Sequence, residues 1–256
     1  MSLPVLSLNN RTALVTGSRG GIGKAIALAF AEAGADVAVC DMVIEDGQLE
    51  AVARRIRETG RCSIAVQADI SKKAHVDSMV QKVVDEFGHI DILVNNAAVR
   101  ARLPLLDLAE EDWDRVMDTD LKGYFLCCQA VGRRMVEQKR GNIISMASRA
   151  GMVVGQQKGN VYSIAKAGVI MLTRVLAQDL AGNNVRVNAI APATVVTDAT
   201  QYRWSNSDLL EQYVKSIPLG RLAETDDVVG LALFLASDVS SYITGQTIAL
   251  DGGSLA

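Results

Sequence analysis

Short runs of β-branched and apolar residues alternate with longer helical patterns along the whole of this 256-residue chain, and few architectures accept that order. Thr12 to Thr16 is the first run; residues 36–40, 63–66, 90–94, 142–146, 185–190 and 246–250 supply the others. Between them lie segments such as 22–33 and 45–59. In the second of these, Leu49, Val52, Ala53 and Ile56 recur at helical spacing. Strands that are nearly all apolar are covered on both faces, as in parallel sheets. Strand and helix in strict turn imply right-handed crossovers and a three-layer α/β sandwich. With 49% of its residues apolar the chain has material for a sizeable core. No linker, charge block or repeat divides it, so residues 1–256 read as one domain. Only residues 193–217, long and polar, break the rhythm; such insertions are usually lids or binding loops.

Charge and targeting narrow the partners. A formal net charge of −3 gives no electrostatic reason to expect nucleic acid or an anionic membrane surface. No apolar run approaches the roughly 18 residues of a membrane span. The first ten residues lack the basic and apolar regions of a secretory signal, so the expected setting is the cytoplasm. Cys40, Cys62, Cys127 and Cys128 have no metal spacing and read as small hydrophobes in a reducing compartment. His75 and His89 are too far apart to suggest a metal, and none is expected.

After the first run comes Thr16-Gly17-Ser18-Arg19-Gly20-Gly21-Ile22-Gly23, then a helical pattern. In doubly wound sheets this first turn approaches a dinucleotide pyrophosphate, which rests on the free N–H groups of the helix N-terminus. A glycine cluster alone is weak evidence; one lying between strand and helix in the first βα unit is much stronger. Asp41 ends the second run, 24 residues after Gly17. A carboxylate there accepts hydrogen bonds from the adenosine ribose and repels a 2′-phosphate, which favours NAD over NADP. Arg19 argues the other way, since a guanidinium in the cradle could hold that phosphate; it reads instead as a solvated loop residue.

Tyr162-Ser163-Ile164-Ala165-Lys166 puts a phenol and an ammonium one helical turn apart on one face. Alone, this spacing arises by chance in many helices. Here it accompanies Asn95-Asn96-Ala97-Ala98 after the fourth run, Ser148 after the fifth and Asn188-Ala189-Ile190-Ala191-Pro192 at the sixth. All of these sit at strand C-terminal ends, where open α/β sheets bind ligands.

Together these motifs resemble the short-chain dehydrogenase/reductase family in its compact form, from Arg11 to the terminal Leu250-Asp251-Gly252-Gly253. The resemblance implies a Rossmann-type, doubly wound, seven-stranded parallel sheet of order 3-2-1-4-5-6-7 with helices on both faces. It also implies hydride transfer between a secondary alcohol or ketone and a nicotinamide cofactor. Tyr162 would be the general acid/base. A free phenol titrates near ~10, so Lys166 and the oxidised nicotinamide would have to favour its anion. Ser148 would fix the substrate oxygen, and Lys166 would also hold the nicotinamide ribose. The cofactor would meet Gly17, Ser18, Arg19, Gly21, Ile22 and Gly23. Asp41 and Asp69 with Ile70 would serve the adenosine, while Asn96 and Ala97 would lie beside the cradle that Asn95 supports. Pro192, Val195 and Thr197 would grip the carboxamide.

Three departures from the family pattern carry consequences. Asp120 stands where an Asn is usual. Ionised, it would add negative charge near Lys166, weaken the tyrosinate and move optimal oxidation toward alkaline pH; alternatively it caps or bends its helix. Ala98 and Ala193 replace glycines, which would strain any backbone with φ > 0. One residue is inserted between Ser148 and Tyr162.

The substrate pocket is expected from residues 99–103, 149–160 and 193–217. Arg100, Arg149, Gln156, Arg203 and Trp204 are its leading candidates, with Arg102, Gln157, Lys158, Gln201 and Tyr202 beside them. So many polar groups favour a sugar, polyol or acid-like substrate. A 3-oxoacyl-type carbonyl reductase is the alternative within the class. A nicotinamide-using epimerase or dehydratase would need a different cradle and a longer C-terminal part. A non-enzymatic redox sensor would need a damaged catalytic set. By analogy with the family, a homotetramer or homodimer is expected, and the helical segments 121–136 and 165–180 are apolar on more than one face, as an interface requires.

Overall fold

The computed structural model describes residues 6–101, 103–154, 160–201 and 207–256. Seven strands form one sheet in the order β3-β2-β1-β4-β5-β6-β7, and every neighbouring pair is parallel. The strands are β1 (Thr12–Thr16), β2 (Asp36–Asp41), β3 (Ser63–Gln67), β4 (Ile92–Asn95), β5 (Gly141–Met146), β6 (Val185–Pro192) and β7 (Thr247–Leu250). Each begins or ends within two residues of the run that predicted it, so the apolar runs mark the pairing faithfully.

Helices cover both faces. On one side lie α1 (Gly21–Glu32) and α2 (Gln48–Glu58), on the other α3 (Lys73–Phe87). Alternate residues of β1 show why two covers are needed. Ala13 and Val15 pack with Ile26 and Phe30 of α1, whereas Leu14 packs with Met79 and Val83 of α3. A strand with a core on each side has no polar face, which is the continuous hydrophobicity seen in sequence.

The second half continues with α4 (Glu110–Met117) and α5 (Gly123–Gln138), and α6 (Val161–Ala181) follows β5. Then come α7 (Asp198–Gln201), α8 (Ser207–Lys215) and α9 (Thr225–Ala236). Tyr124, Val131 and Met135 of α5 join the α3 side together with Val169 of α6; Val228 and Leu235 of α9 join the α1 side. Between α4 and α5 the chain makes one π-helical turn, Asp118–Lys122. Such turns widen the helix by a residue and re-aim its side chains, often at functional sites.

At the N-terminal edge of the sheet, buried Asp91 accepts the Thr12 N–H at 3.0 Å and pairs with Arg140 at 2.8 Å and His89 at 3.0 Å, joining the starts of β1, β4 and β5. The opposite, C-terminal edge is left for the loops that carry the candidate site. No helix among the described residues is long and apolar enough to cross a membrane. The four cysteines are free; Cys40, Cys127 and Cys128 are buried as expected, but Cys62 is exposed, because it precedes β3 rather than entering it.

Candidate active site

The glycine turn is built by close approach within the protein. A Cβ on Gly17 would lie 2.6 Å from the Ala97 Cα, and one on Gly23 would lie 2.3 Å from the Gly17 carbonyl oxygen. Gly17 also has φ of +64°, which a side chain would strain. These two glycines let β1, α1 and the end of β4 close on one another. The missing Cβ of Gly20 faces open space, with no atom within 4 Å. Gly20 is also the N-cap of α1 and contributes no side-chain cap. The first-turn N–H groups of α1 therefore lack an intrahelical partner and receive no side-chain cap from the N-cap residue. Open space before uncapped donors at a positive helix end suits a pyrophosphate.

Asn96 holds this turn, donating from Nδ2 to the carbonyls of Thr16 at 3.0 Å and Gly17 at 2.9 Å. Asn95, expected in that role, instead donates to Cys128 Sγ at 3.2 Å and Ser145 Oγ at 3.3 Å. The reason is strand alternation: the side chain of Asn95 lies inside the sheet, and the next residue is the first to reach the loop. Ser18 also departs from expectation as a cofactor ligand. Its hydroxyl donates to the Val15 carbonyl at 2.9 Å and accepts from the Cys40 N–H at 2.9 Å, and its own N–H bonds the Cys40 carbonyl. Fully buried, it ties the cradle to β2.

At the end of β2, Asp41 accepts the Val43 N–H at 3.0 Å. Arg19 is not simply solvated, as its loop position suggested. Its guanidinium lies 3.9 Å from Asp41 and is ion-paired with Asp46. Asp69 accepts the Ser71 N–H at 2.9 Å and is half-buried, while Ile70 is buried against Gly123 of α5. Pro192 ends β6 beside Leu250. Val195 is buried, its carbonyl accepting from Thr200. The Thr197 side chain would lie 3.5 Å from a Cβ on Gly21, so this segment closes over the start of α1 and Ile22. Ala98 and Ala193 have no positive φ, so their replacement of glycine costs no strain.

The polar constellation sits at the end of β5. Asn160 caps α6, accepting the Tyr162 N–H at 3.1 Å and placing the phenol in the first helical turn. Ser148 caps the short turn Arg149–Gly151, accepting the Ala150 N–H at 3.1 Å. That turn lies directly on α6: a Cβ on Gly151 would be 2.6 Å from the Lys166 carbonyl carbon. The turn that Ser148 caps is thus packed on the helix that carries Tyr162 and Lys166. Arg100 joins them, its guanidinium 5.0 Å from the Tyr162 ring centroid. Arg149 is half-buried in the turn after Ser148. Gln156, Arg203 and Trp204, like Arg102, Gln157, Lys158 and Tyr202, lie outside the described residues, as does the side chain of Gln201.

Lys166 is 1% exposed. Its Nζ lies 3.4 Å from Asp120 Oδ2, donates to the Tyr124 hydroxyl at 3.1 Å, and stands 5.5 Å from the Tyr162 ring centroid. Burial, the largest influence, would drive its proton off; Tyr124, Asp120 and Tyr162 oppose it and leave the group above the ordinary lysine range. Asp120 is fully buried in the π-turn and accepts the Val99 N–H at 2.8 Å. Burial raises its carboxyl above the usual range, against the pull of Lys166, the Val99 N–H and Arg100. It lies in the π-turn and stands against Lys166, so it does come near the ammonium. Tyr124 went unnoticed in sequence; its signal was its place one helical turn after Asp120.

Comparison with known proteins agrees with this geometry. A family model described as enoyl-(acyl carrier protein) reductase matches residues 17–254. A 3-oxoacyl-[acyl-carrier-protein] reductase FabG from Staphylococcus epidermidis is 43% identical over 95% of this chain and 98% of its own. A short-chain type dehydrogenase/reductase from Mycobacterium marinum superposes with a TM-score of 0.91 at 37% identity, covering 97% of each chain. A gluconate 5-dehydrogenase from Burkholderia cenocepacia, crystallised with NADP and tartrate, gives 0.92 at 33% identity over 98% of this chain and 97% of that one.

Proposed function

This chain belongs to the short-chain dehydrogenase/reductase family, and from that premise we propose that Tyr162 handles the proton in its interconversion of a secondary alcohol and a ketone. The reaction is that of a nicotinamide-dependent oxidoreductase. When bound, the nicotinamide gives or takes the hydride. The protein's part is proton transfer and positioning. In the oxidising direction the Tyr162 oxygen takes the alcohol proton; in reduction it returns it to the carbonyl oxygen. Lys166 and Arg100, both near the Tyr162 ring, stabilise negative charge on that oxygen. Ser148 donates a hydrogen bond to the substrate oxygen and limits its motion. The α1 N-terminus would hold the pyrophosphate, and the segment from Pro192 through Val195 to Thr197 would hold the carboxamide.

The preferred substrate is polyhydroxylated or acid-like, and the observation that carries this is Arg100 over the Tyr162 ring. A guanidinium over the ring of the reacting phenol can clamp a carboxylate in bidentate fashion. A second reading, reduction of a 3-oxoacyl thioester, is favoured by the name of the Staphylococcus relative. For the cofactor we favour NAD: Asp41 at the end of β2 would repel a 2′-phosphate, and Arg19 is engaged by Asp41 and Asp46. The NADP in the Burkholderia structure supports the opposite choice. We read residues 193–217 as a lid within a single domain, anchored by the hydrogen bond between Thr194 and Tyr213. Exposed Phe125, Met171 and Val175 on α5 and α6 support self-association there. The free cysteines suit a reducing, cytoplasmic setting.

The experiment is a substrate panel of sugar acids, polyols, aliphatic alcohols and a 3-oxoacyl thioester, run with each cofactor and followed at the absorbance of the reduced nicotinamide. The highest kcat/KM is expected for a hydroxy acid or polyol with NAD. A clear preference for the thioester, or for an apolar ketone, would contradict the substrate assignment.

A further inference from the structure

We propose that Tyr124 is a positioning residue for the reaction: its hydroxyl and the Asp120 carboxylate hold the Lys166 ammonium from a second helix and so fix where it stands beside Tyr162. The inference rests on the reading of Lys166 as the charge that serves Tyr162.

Tyr124 has no solvent-exposed surface. Its hydroxyl accepts from Lys166 Nζ at 3.1 Å and points its own proton toward the Met146 carbonyl at 3.5 Å, at the end of β5. The ammonium also stands 4.4 Å from the Tyr124 ring centroid, within cation–π range. An aliphatic side chain at this place in α5 would serve the surrounding core equally well. The phenol instead spends its polar end on a single buried cation.

That matters because of where the remaining groups stand. Lys166 and Tyr162 ride on the same helix, so α6 alone sets their spacing along its axis. It does not set the direction of a four-carbon side chain. Asp120 comes from the π-turn and Tyr124 from the first turn of α5, and they meet the ammonium from outside α6. The charged and titratable groups around Lys166 are Asp120, Tyr124 and Tyr162, with Arg100 acting on Asp120 and over the Tyr162 ring. Burial keeps the Tyr124 phenol protonated far beyond neutral pH, so it is a fixed dipole rather than a second base. Ordered this way, the ammonium is held by a hydrogen bond to Tyr124 and an ion pair with Asp120 before any ligand arrives.

The test is Tyr124→Phe, which keeps the ring and its packing and removes one oxygen. The expected result is a fall in kcat of about tenfold, a substrate KM within twofold of the parent, and a larger solvent isotope effect on kcat, since the proton step is slowed. Unchanged kcat and isotope effect, whatever the melting temperature does, would overturn the proposal. A second measurement needs no active variant. Nitrogen NMR of lysine-labelled protein should show one ammonium with slow proton exchange, lost in Lys166→Met; no such signal would overturn the proposal equally. A wild-type protein inert toward every alcohol and ketone would refute the functional reading, while the NMR result would still decide the clamp.

Discussion

Lys166 is a buried cation, and an unpaired ion at that depth would cost several kcal/mol. Asp120 at 3.4 Å supplies the counter-charge, Tyr124 at 3.1 Å an acceptor and a ring face. The Asp120 carboxylate is in turn fixed by the Val99 N–H at 2.8 Å, so the pair is braced from the loop after β4. The same carboxylate works against the chemistry. On the proposed role of Tyr162, negative charge beside Lys166 would cancel part of the field that favours an oxyanion on Tyr162, and alcohol oxidation would need higher pH. Asp120→Asn removes that charge and keeps a hydrogen-bonding side chain. The optimum for alcohol oxidation should move toward lower pH by up to about one unit, each unit being worth ~1.4 kcal/mol. A pH–rate profile that does not move would contradict this role. Asp120 could be singled out from sequence because an unusual residue type stands in a recognisable motif. Tyr124 carried only a weak signal, its place one helical turn after Asp120, because a tyrosine on a half-buried helix is ordinarily packing.

Element by element, strands were the most legible part of the chain. An apolar run has no freedom to sit anywhere but between two cores, and β1 and β5 fall within a residue of their predicted limits. The π-turn Asp118–Lys122 was not legible, because one extra residue per turn leaves the apolar pattern of the flanking helices intact. Nor was the exchange of roles between Asn95 and Asn96, which depends on the single residue at which β4 ends. The start of α2 hides a further device. Asp46 accepts the Gln48 N–H at 3.0 Å while its other oxygen holds Arg19 across the cradle. If NAD is the cofactor, as proposed, this pair would keep a guanidinium from being offered to a 2′-phosphate. Asp46→Asn preserves the acceptor for Gln48 and loses the ion pair. A partly exposed pair is worth up to ~1 kcal/mol, so the kcat/KM ratio of NADP over NAD should rise about three- to fivefold. An unchanged ratio would show that Arg19 takes no part in cofactor choice.

At the scale of the whole molecule, strict alternation of strand and helix sends every β-to-α connection to one edge of the sheet. The cradle after β1, Asp41 after β2, Asn96 after β4 and Ser148 after β5 share that edge for this reason. Arg19, Asn96, Ser148 and Tyr162 are far apart in sequence and could be grouped beforehand only because topology leaves them no other place. What the topology does not dictate is which side chains of the 149–160 and 193–217 segments face a substrate. The same holds for the loop after β4: Arg100 could be proposed from composition, but its seat over Tyr162 could not. The proposed chemistry requires that the phenol at that edge carry the proton. Tyr162→Phe tests it most directly, with alcohol oxidation and cofactor binding measured side by side. The account predicts a loss of about 10²–10⁴-fold in kcat with nicotinamide affinity within a few-fold of the parent. Turnover within tenfold of the parent would place the proton transfer on some other group.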